Sequence, residues 1–478
     1  MGNSLPHKRE KIMVNNSTIE RRHVRDLVVA NVIVIIFVGM EASSLLFFFL
    51  LSLSALVGFV VLPRRSFLIV PLLFLCIPLE ISKSWIPIME TTYSREGNVS
   101  VLDFSRLAIA IVFIVWVISN FRQRKMEIST NVMVISLFVF ILYSVFSTIY
   151  VAGMTGRALI ETVRYISYFV LLLLTARYIK EVEDIHRTFQ VLIVLGAILS
   201  VIGMFEFATR IHIWMPVFGV RTNTTFGDPN MFGRLLAVLL SVLLYRRLSR
   251  NSINIIRYDV LILFASIALL LTISRAGVMA LAGALGFLFL ASDLRIKKTL
   301  MSIGLIGGFL LTFALSILVD LRGGDLEVSD IGQRSALIIT GLTMFWEHPI
   351  WGVGLGGFQE YALKLYQHLL PWEGRGVTLS HTAVITVLAE MGTIGFVLLM
   401  NIIIQFRKNY KQIAKSNNSE IIDYSKMVVM MIIIIFISAQ SAGRLFEDPM
   451  LWLLLGIQIS LHRFANNEAD KQAGESIL

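Results

Sequence analysis

The residues with most capacity for chemistry lie from Asp320 to Ser380, the one long polar interruption in a chain of apolar runs, and at the helix ends next to it. Arg334 lies beyond Ser329 and Asp330, either of which can cap a helix beginning near Gln333. In the first turn of that helix, its guanidinium fork suits a phosphate held by two parallel hydrogen bonds. A surface ion pair with Asp325 or Asp330 is the competing use. Trp351-Gly352-Val353-Gly354-Leu355-Gly356-Gly357-Phe358 follows. Its amides could hold a phosphate, but close return of the backbone onto its neighbours is the commoner use of such glycines and is preferred. Ser380-His381 then opens a long apolar run, with Ser380 as N-cap. The positive end of the helix dipole favours a neutral imidazole at His381, able to take a proton from a hydroxyl. A histidine bonded to interfacial backbone is the blander reading. Arg275, in Ser274-Arg275-Ala276-Gly277, joins two apolar runs with almost no loop. An arginine at that depth is costly unless it meets an anion or a carboxylate.

The elements that must position these residues are membrane helices. The chain of 478 residues is 56% hydrophobic and 15% charged, with mean hydropathy +0.77. A chain this apolar needs lipid as its solvent. The fold class is all-α: a polytopic integral membrane bundle of about 12–14 transmembrane helices with one large outward loop. The candidate spans run from Val28–Met40 to Pro449–Leu461 and include Val132–Val151, Tyr165–Tyr178, Val260–Ile273, Gly277–Ala291 and Thr382–Phe406. Residues 1–26 read as a basic cytoplasmic tail, 27–462 as the transmembrane domain carrying the outer loop 320–380, and 463–478 as a second cytoplasmic tail.

The net charge of +10 comes from short basic connectors, among them Arg64-Arg65, Arg246-Arg247 and Arg407-Lys408. With the N-terminus inside, these fall on the cytoplasmic side, as the positive-inside rule requires. Membrane topology therefore accounts for the charge without nucleic acid. Arg106, Arg157, Arg164, Arg221, Arg234, Arg275, Arg334, Arg375 and Arg444 run against that bias. Taken singly they read as interfacial anchors; converging on one outward cavity they would make an anion site. The only cysteine, Cys76, leaves no disulfide framework and no Cys-based metal site. Glu206 and Gln440 are the candidate mid-membrane polar residues, and Glu390 reads as a hydrogen-bonding group inside the bundle.

Several of these stretches taken together resemble the O-antigen ligase and Wzy-type polymerase family. They are Trp346-Glu347-His348-Pro349 with the glycine run, Ser380-His381-Thr382, Leu388-Ala389-Glu390-Met391-Gly392, Leu271-Thr272-Ile273-Ser274-Arg275-Ala276-Gly277 and Thr225-Phe226-Gly227-Asp228-Pro229-Asn230. Thr382 stands where the family usually has Asn. The resemblance implies a bacterial multi-pass glycosyltransferase of the inverting, metal-independent type, needing no cofactor. It would move a glycan from an undecaprenyl-pyrophosphate carrier to an acceptor glycan or lipid-linked glycan at the outer face of the inner membrane. It further implies that Arg275 and Arg334 hold the pyrophosphate and that His381 activates the acceptor hydroxyl. Arg221, Asn230 and Arg444 are further candidates for substrate binding, and a chain-length regulator protein is a candidate partner. A transporter or flippase is the alternative class, which would place polar groups in mid-membrane.

Overall fold

The structure, a computed structural model, describes residues 131–153, 155–211, 221–226, 228–248, 255–302, 326–370, 380, 382–442 and 445–475, with isolated positions 109, 110, 113, 114, 117 and 304. The described residues form helices and turns, with no strand. In chain order the helices are α1 (Val132–Phe146, continued by a π-turn, Ser147–Val151), α2 (Gly156–Tyr178), α3 (Val182–Thr209), α4 (Pro229–Leu248), α5 (Ile255–Leu271) and α6 (Arg275–Ala291). There follow α7 (Leu326–Glu347), α8 (Phe358–Lys364), α9 (Ala383–Ile413), α10 (Ser419–Ala442) and α11 (Pro449–Glu475). Among the described residues, five helices are long and apolar enough to cross a bilayer: α1 with its π-turn, α2, α3, α9 and α10. The expected spans before residue 107 lie outside the described residues. The runs on either side of Arg275 form two separate helices.

Apolar surface sorts the bundle. Phe232 and Leu235 to Leu243 of α4 are all buried, as are Met450 to Leu461 of α11. Helices apolar all round belong at the centre of a bundle. On α3, Val194, Ile198, Val201 and Phe205 are each more than half exposed and recur at helical spacing. Such a stripe would be an aggregation hazard in water and is a lipid-facing surface in a membrane.

Two contacts fix helix direction. Gly233, the fifth residue of α4, lies against Ser274, and a Cβ on Gly277 would stand 3.0 Å from the Gly233 carbonyl. The N-termini of α4 and α6 therefore meet. At the other end of α4, Tyr245 donates to Asp423 near the start of α10 (2.6 Å). So α10 runs against α4 and α6, and its C-terminus reaches the end where they begin. Basic residues close the opposite end: Arg246 and Arg247 finish α4, and Lys411 lies in the last turn of α9.

α9 is broken at Gly392 (φ 62°, ψ −160°). The backbone groups released there are satisfied from a distance. Val353 and Gly354 N–H donate to the Ala389 and Glu390 carbonyls (2.8 and 2.9 Å), Thr393 N–H donates to the Pro349 carbonyl (2.8 Å), and the Tyr143 hydroxyl donates to the Met391 carbonyl (2.8 Å). The segment 349–357 is thus stitched into the gap in α9. An irregular backbone is tolerated at such depth only when its polar groups are met by protein.

Two local expectations need correction. α7 starts at Leu326 rather than near Gln333, so Arg334 is in its third turn. Ser329 and Asp330 cost a helix interior only a few tenths of a kcal/mol each, and the helix runs through them. Ser380 is not the N-cap of α9. Thr382 holds that position, while Ser380 Oγ accepts from Thr382 N–H (3.1 Å) and bonds Thr386 Oγ1 (2.9 Å).

Candidate functional site

The N-termini of α2, α4, α6, α9 and α11 and the C-terminus of α10 gather at one end of the bundle, linked by side chains. Arg164 of α2 donates to Glu161 (2.7 Å) and to Glu447 (2.8 Å) just before α11. Arg234 of α4 pairs with Asp448. Gln440 near the end of α10 accepts from Val384 N–H in α9 (3.5 Å). Helix N-termini carry partial positive charge and unsatisfied N–H groups, so a cluster of them favours an anion.

Arg275 is the first residue of α6 and is exposed. Ser274 caps the helix, its Oγ accepting from Gly277 N–H (3.2 Å). The turn before it is strained, because Ile273, a β-branched residue, has φ 51°. Arg221 and Asn230 close around this turn. Arg221 Nε donates to the Thr272 carbonyl (2.9 Å) and Nη2 to Asn230 Oδ1 (3.1 Å), which also accepts from Ser274 Oγ (3.1 Å). Both are candidate substrate ligands by sequence; in the structure they bond each other and the Arg275 turn.

Arg334 Nη1 donates to Ser441 Oγ (3.3 Å) at the C-terminal end of α10. Ile437 of α10 packs against Gly283 of α6. Counting about two turns back to Arg275 and one turn forward to Ser441 puts both arginines toward the same end. Val384, beside Gln440, is three residues past His381. His381 and Arg444 lie outside the described residues, as do Asp325 and the side chains of Glu327 and Asp330.

The glycine run makes no phosphate cradle. Gly352, Gly354 and Gly356 have positive φ, but the amides from Gly352 to Phe358 are engaged. Besides the bonds to α9, Gly352 N–H donates to the His348 carbonyl (3.0 Å), Leu355 N–H to Ser147 Oγ (3.0 Å) and Gly357 N–H to the Gly354 carbonyl (3.0 Å). Gly356 and Phe358 N–H donate to the Glu390 carboxylate, the latter at 3.2 Å. Glu390 therefore ties α9 to the glycine loop. Glu390→Ala strands two buried donors at roughly 1–3 kcal/mol each. The expected loss of thermal stability in detergent is largest for Ala and much smaller for Glu390→Gln, which keeps an acceptor oxygen.

Arg157, Glu161, Glu390 and Glu447 border a small pocket of about 20 Å³, with Ala383 and Thr386 on its α9 wall. Sequence reading singled out the arginines without their carboxylates. The Arg157, Glu161, Arg164 spacing is the one local signal for a helix-face pair; Glu447 and Asp448 arrive from nearly 300 and just over 200 residues away. Beside the glycine loop, the Tyr366 phenol donates to Glu347 (2.5 Å), and burial together with that carboxylate pushes its pKa up. Among the described residues, no three His, Cys, Asp or Glu side chains are grouped to hold a metal ion.

No curated protein gives a significant match to the chain. Residues 260–400 match the model of a family described as O-antigen ligase, an interval that holds Arg275, Arg334 and His381 but not Arg221, Asn230 or Arg444. Apolar spanning helices together with this match make the chain a multi-pass membrane protein with a role in surface polysaccharide assembly, similar over residues 260–400 to the O-antigen ligase domain.

Proposed function

We propose that the protein transfers a glycan from an undecaprenyl-pyrophosphate carrier to an acceptor sugar hydroxyl at the outer face of the bacterial cytoplasmic membrane, as a polysaccharide polymerase or ligase. The observation that carries this reading is the gathering of helix N-termini at the end of the bundle where Arg275 and Arg334 lie, both arginines falling in the interval 260–400 that matches the O-antigen ligase model. In the proposed step the acceptor oxygen attacks the anomeric carbon from the face opposite the pyrophosphate. The new C–O bond forms as the bond to the pyrophosphate oxygen breaks, which inverts the anomeric centre. His381 takes the hydroxyl proton and later returns it to solvent. Charge builds on the departing lipid pyrophosphate, and Arg275 and Arg334 stabilise it without a metal, since preorganised donors in a water-poor site act most strongly where charge develops. Both termini are placed in the cytoplasm on the positive-inside pattern. Lipid-linked glycan, acceptor glycan and a chain-length regulator are the proposed partners.

Deleting the gene and resolving the host's surface glycan by length tests the reading. Long chains lost with single units retained indicate a polymerase; finished chains stranded on the carrier indicate a ligase. A wild-type glycan pattern removes the proposal. Transfer by the purified protein should persist in EDTA, and its abolition would end the metal-free step.

A further inference from the structure

We infer that Arg221, Asn230 and Glu206 are positioning residues, which hold a strained turn in the one shape that presents Arg275 to its ligand. This rests on the proposed role of Arg275. The turn Thr272-Ile273-Ser274 contains a β-branched residue at φ 51°, a conformation such residues avoid and adopt only where the surroundings over-determine it. Those surroundings are visible. Arg221 grips the carbonyl before Ile273, Asn230 Oδ1 takes the Ser274 hydroxyl after it, and Arg221 and Asn230 are bonded to each other. Thr272 Oγ1 accepts from Ser274 N–H (3.2 Å) across the same turn.

The grip is itself anchored. Glu206, 1% exposed in the last turn of α3, accepts from the N–H of Thr224 (2.9 Å), which also has positive φ (51°). That bond fixes the 221–226 segment carrying Arg221. One polar chain thus runs from α3 through two left-handed residues to the first residue of α6. Arg221 bonds the Thr272 carbonyl and Asn230, and Asn230 Oδ1 in turn accepts from the Ser274 hydroxyl, which is the pattern of an orienting pair.

The test uses the full-length protein in detergent, with transfer from lipid-linked donor and thermal unfolding both measured. Asn230→Ala and Arg221→Lys should lower kcat roughly tenfold to a hundredfold, as for a displaced but intact reacting group, with KM for the donor little changed. In the Ile273→Gly background the turn no longer resists its shape, so Asn230→Ala should cost much less kcat and less stability than it does alone. A rise in KM with kcat kept makes both residues donor ligands and overturns the inference. So does an Asn230→Ala penalty that is the same in both backgrounds. If the stability coupling is found while Arg275→Ala transfers normally, the turn's restraint stands but the assignment of Arg275 fails, and its link to transfer is overturned.

Discussion

Replacing His381 with Ala, at unchanged protein level, is expected to cut glycan transfer by about 10²–10⁴-fold, the usual contribution of a positioned general base. The proposed acceptor is a sugar hydroxyl, a poor nucleophile until its proton begins to leave, and histidine is the side chain whose unperturbed pKa lies near ambient pH. The sign of the pH dependence follows. Only neutral imidazole accepts a proton, so kcat rises with pH through the histidine pKa in the wild type, and that rising limb disappears in His381→Ala. Arg275→Lys and Arg334→Lys test the other half of the step. Each keeps the positive charge and loses the planar fork, so each should lower transfer by about 10²–10³-fold, comparable to losing one preorganised donor to a developing oxyanion. Normal surface polysaccharide in His381→Ala would remove the base from the mechanism. Full activity in both lysine variants would leave charge without bidentate binding.

What the sequence made legible was whatever is local. The apolar runs gave the helices, because a membrane span must satisfy its own backbone and therefore announces itself by length and composition. The place of Arg275 at a helix boundary was legible because a charged residue between two apolar runs marks the joint between them. Three other features depend on residues far apart in the chain. Pairing of Arg164 with Glu447 and of Arg234 with Asp448 needs the start of α11 beside α2 and α4, and no periodicity encodes that. The use of Arg221 and Asn230 to hold a turn some 40–50 residues on needs the α4–α6 crossing. The break in α9 is hidden for the same reason. A lone glycine in a long apolar run is compatible with a continuous helix, and only the arrival of residues 349–354 supplies the partners that make an open helix stable.

Gly392→Ala is accordingly expected to be the most destabilising single-methyl change among the described residues, at about 4 kcal/mol or more. Two costs add. The backbone at φ 62°, ψ −160° is a region that residues other than glycine essentially never occupy. A Cβ there would also stand 2.3 Å from the Ile350 carbonyl oxygen and 2.7 Å from Gly352 N, both backbone atoms that cannot rotate away. Moving them would pull the glycine loop off Ala389 and Glu390 and uncover the carbonyls that the loop now satisfies. Gly153 supplies the control. Its φ is also 62°, yet a Cβ would meet nothing within 4 Å, so Gly153→Ala should cost only the left-handed penalty of about 1–2 kcal/mol. Thermal unfolding of the two variants in detergent separates backbone strain from the close approach. Equal losses at both positions would mean that the loop does not lean on the open turn of α9, and the account of how residues 349–357 are held beside the site would have to be abandoned.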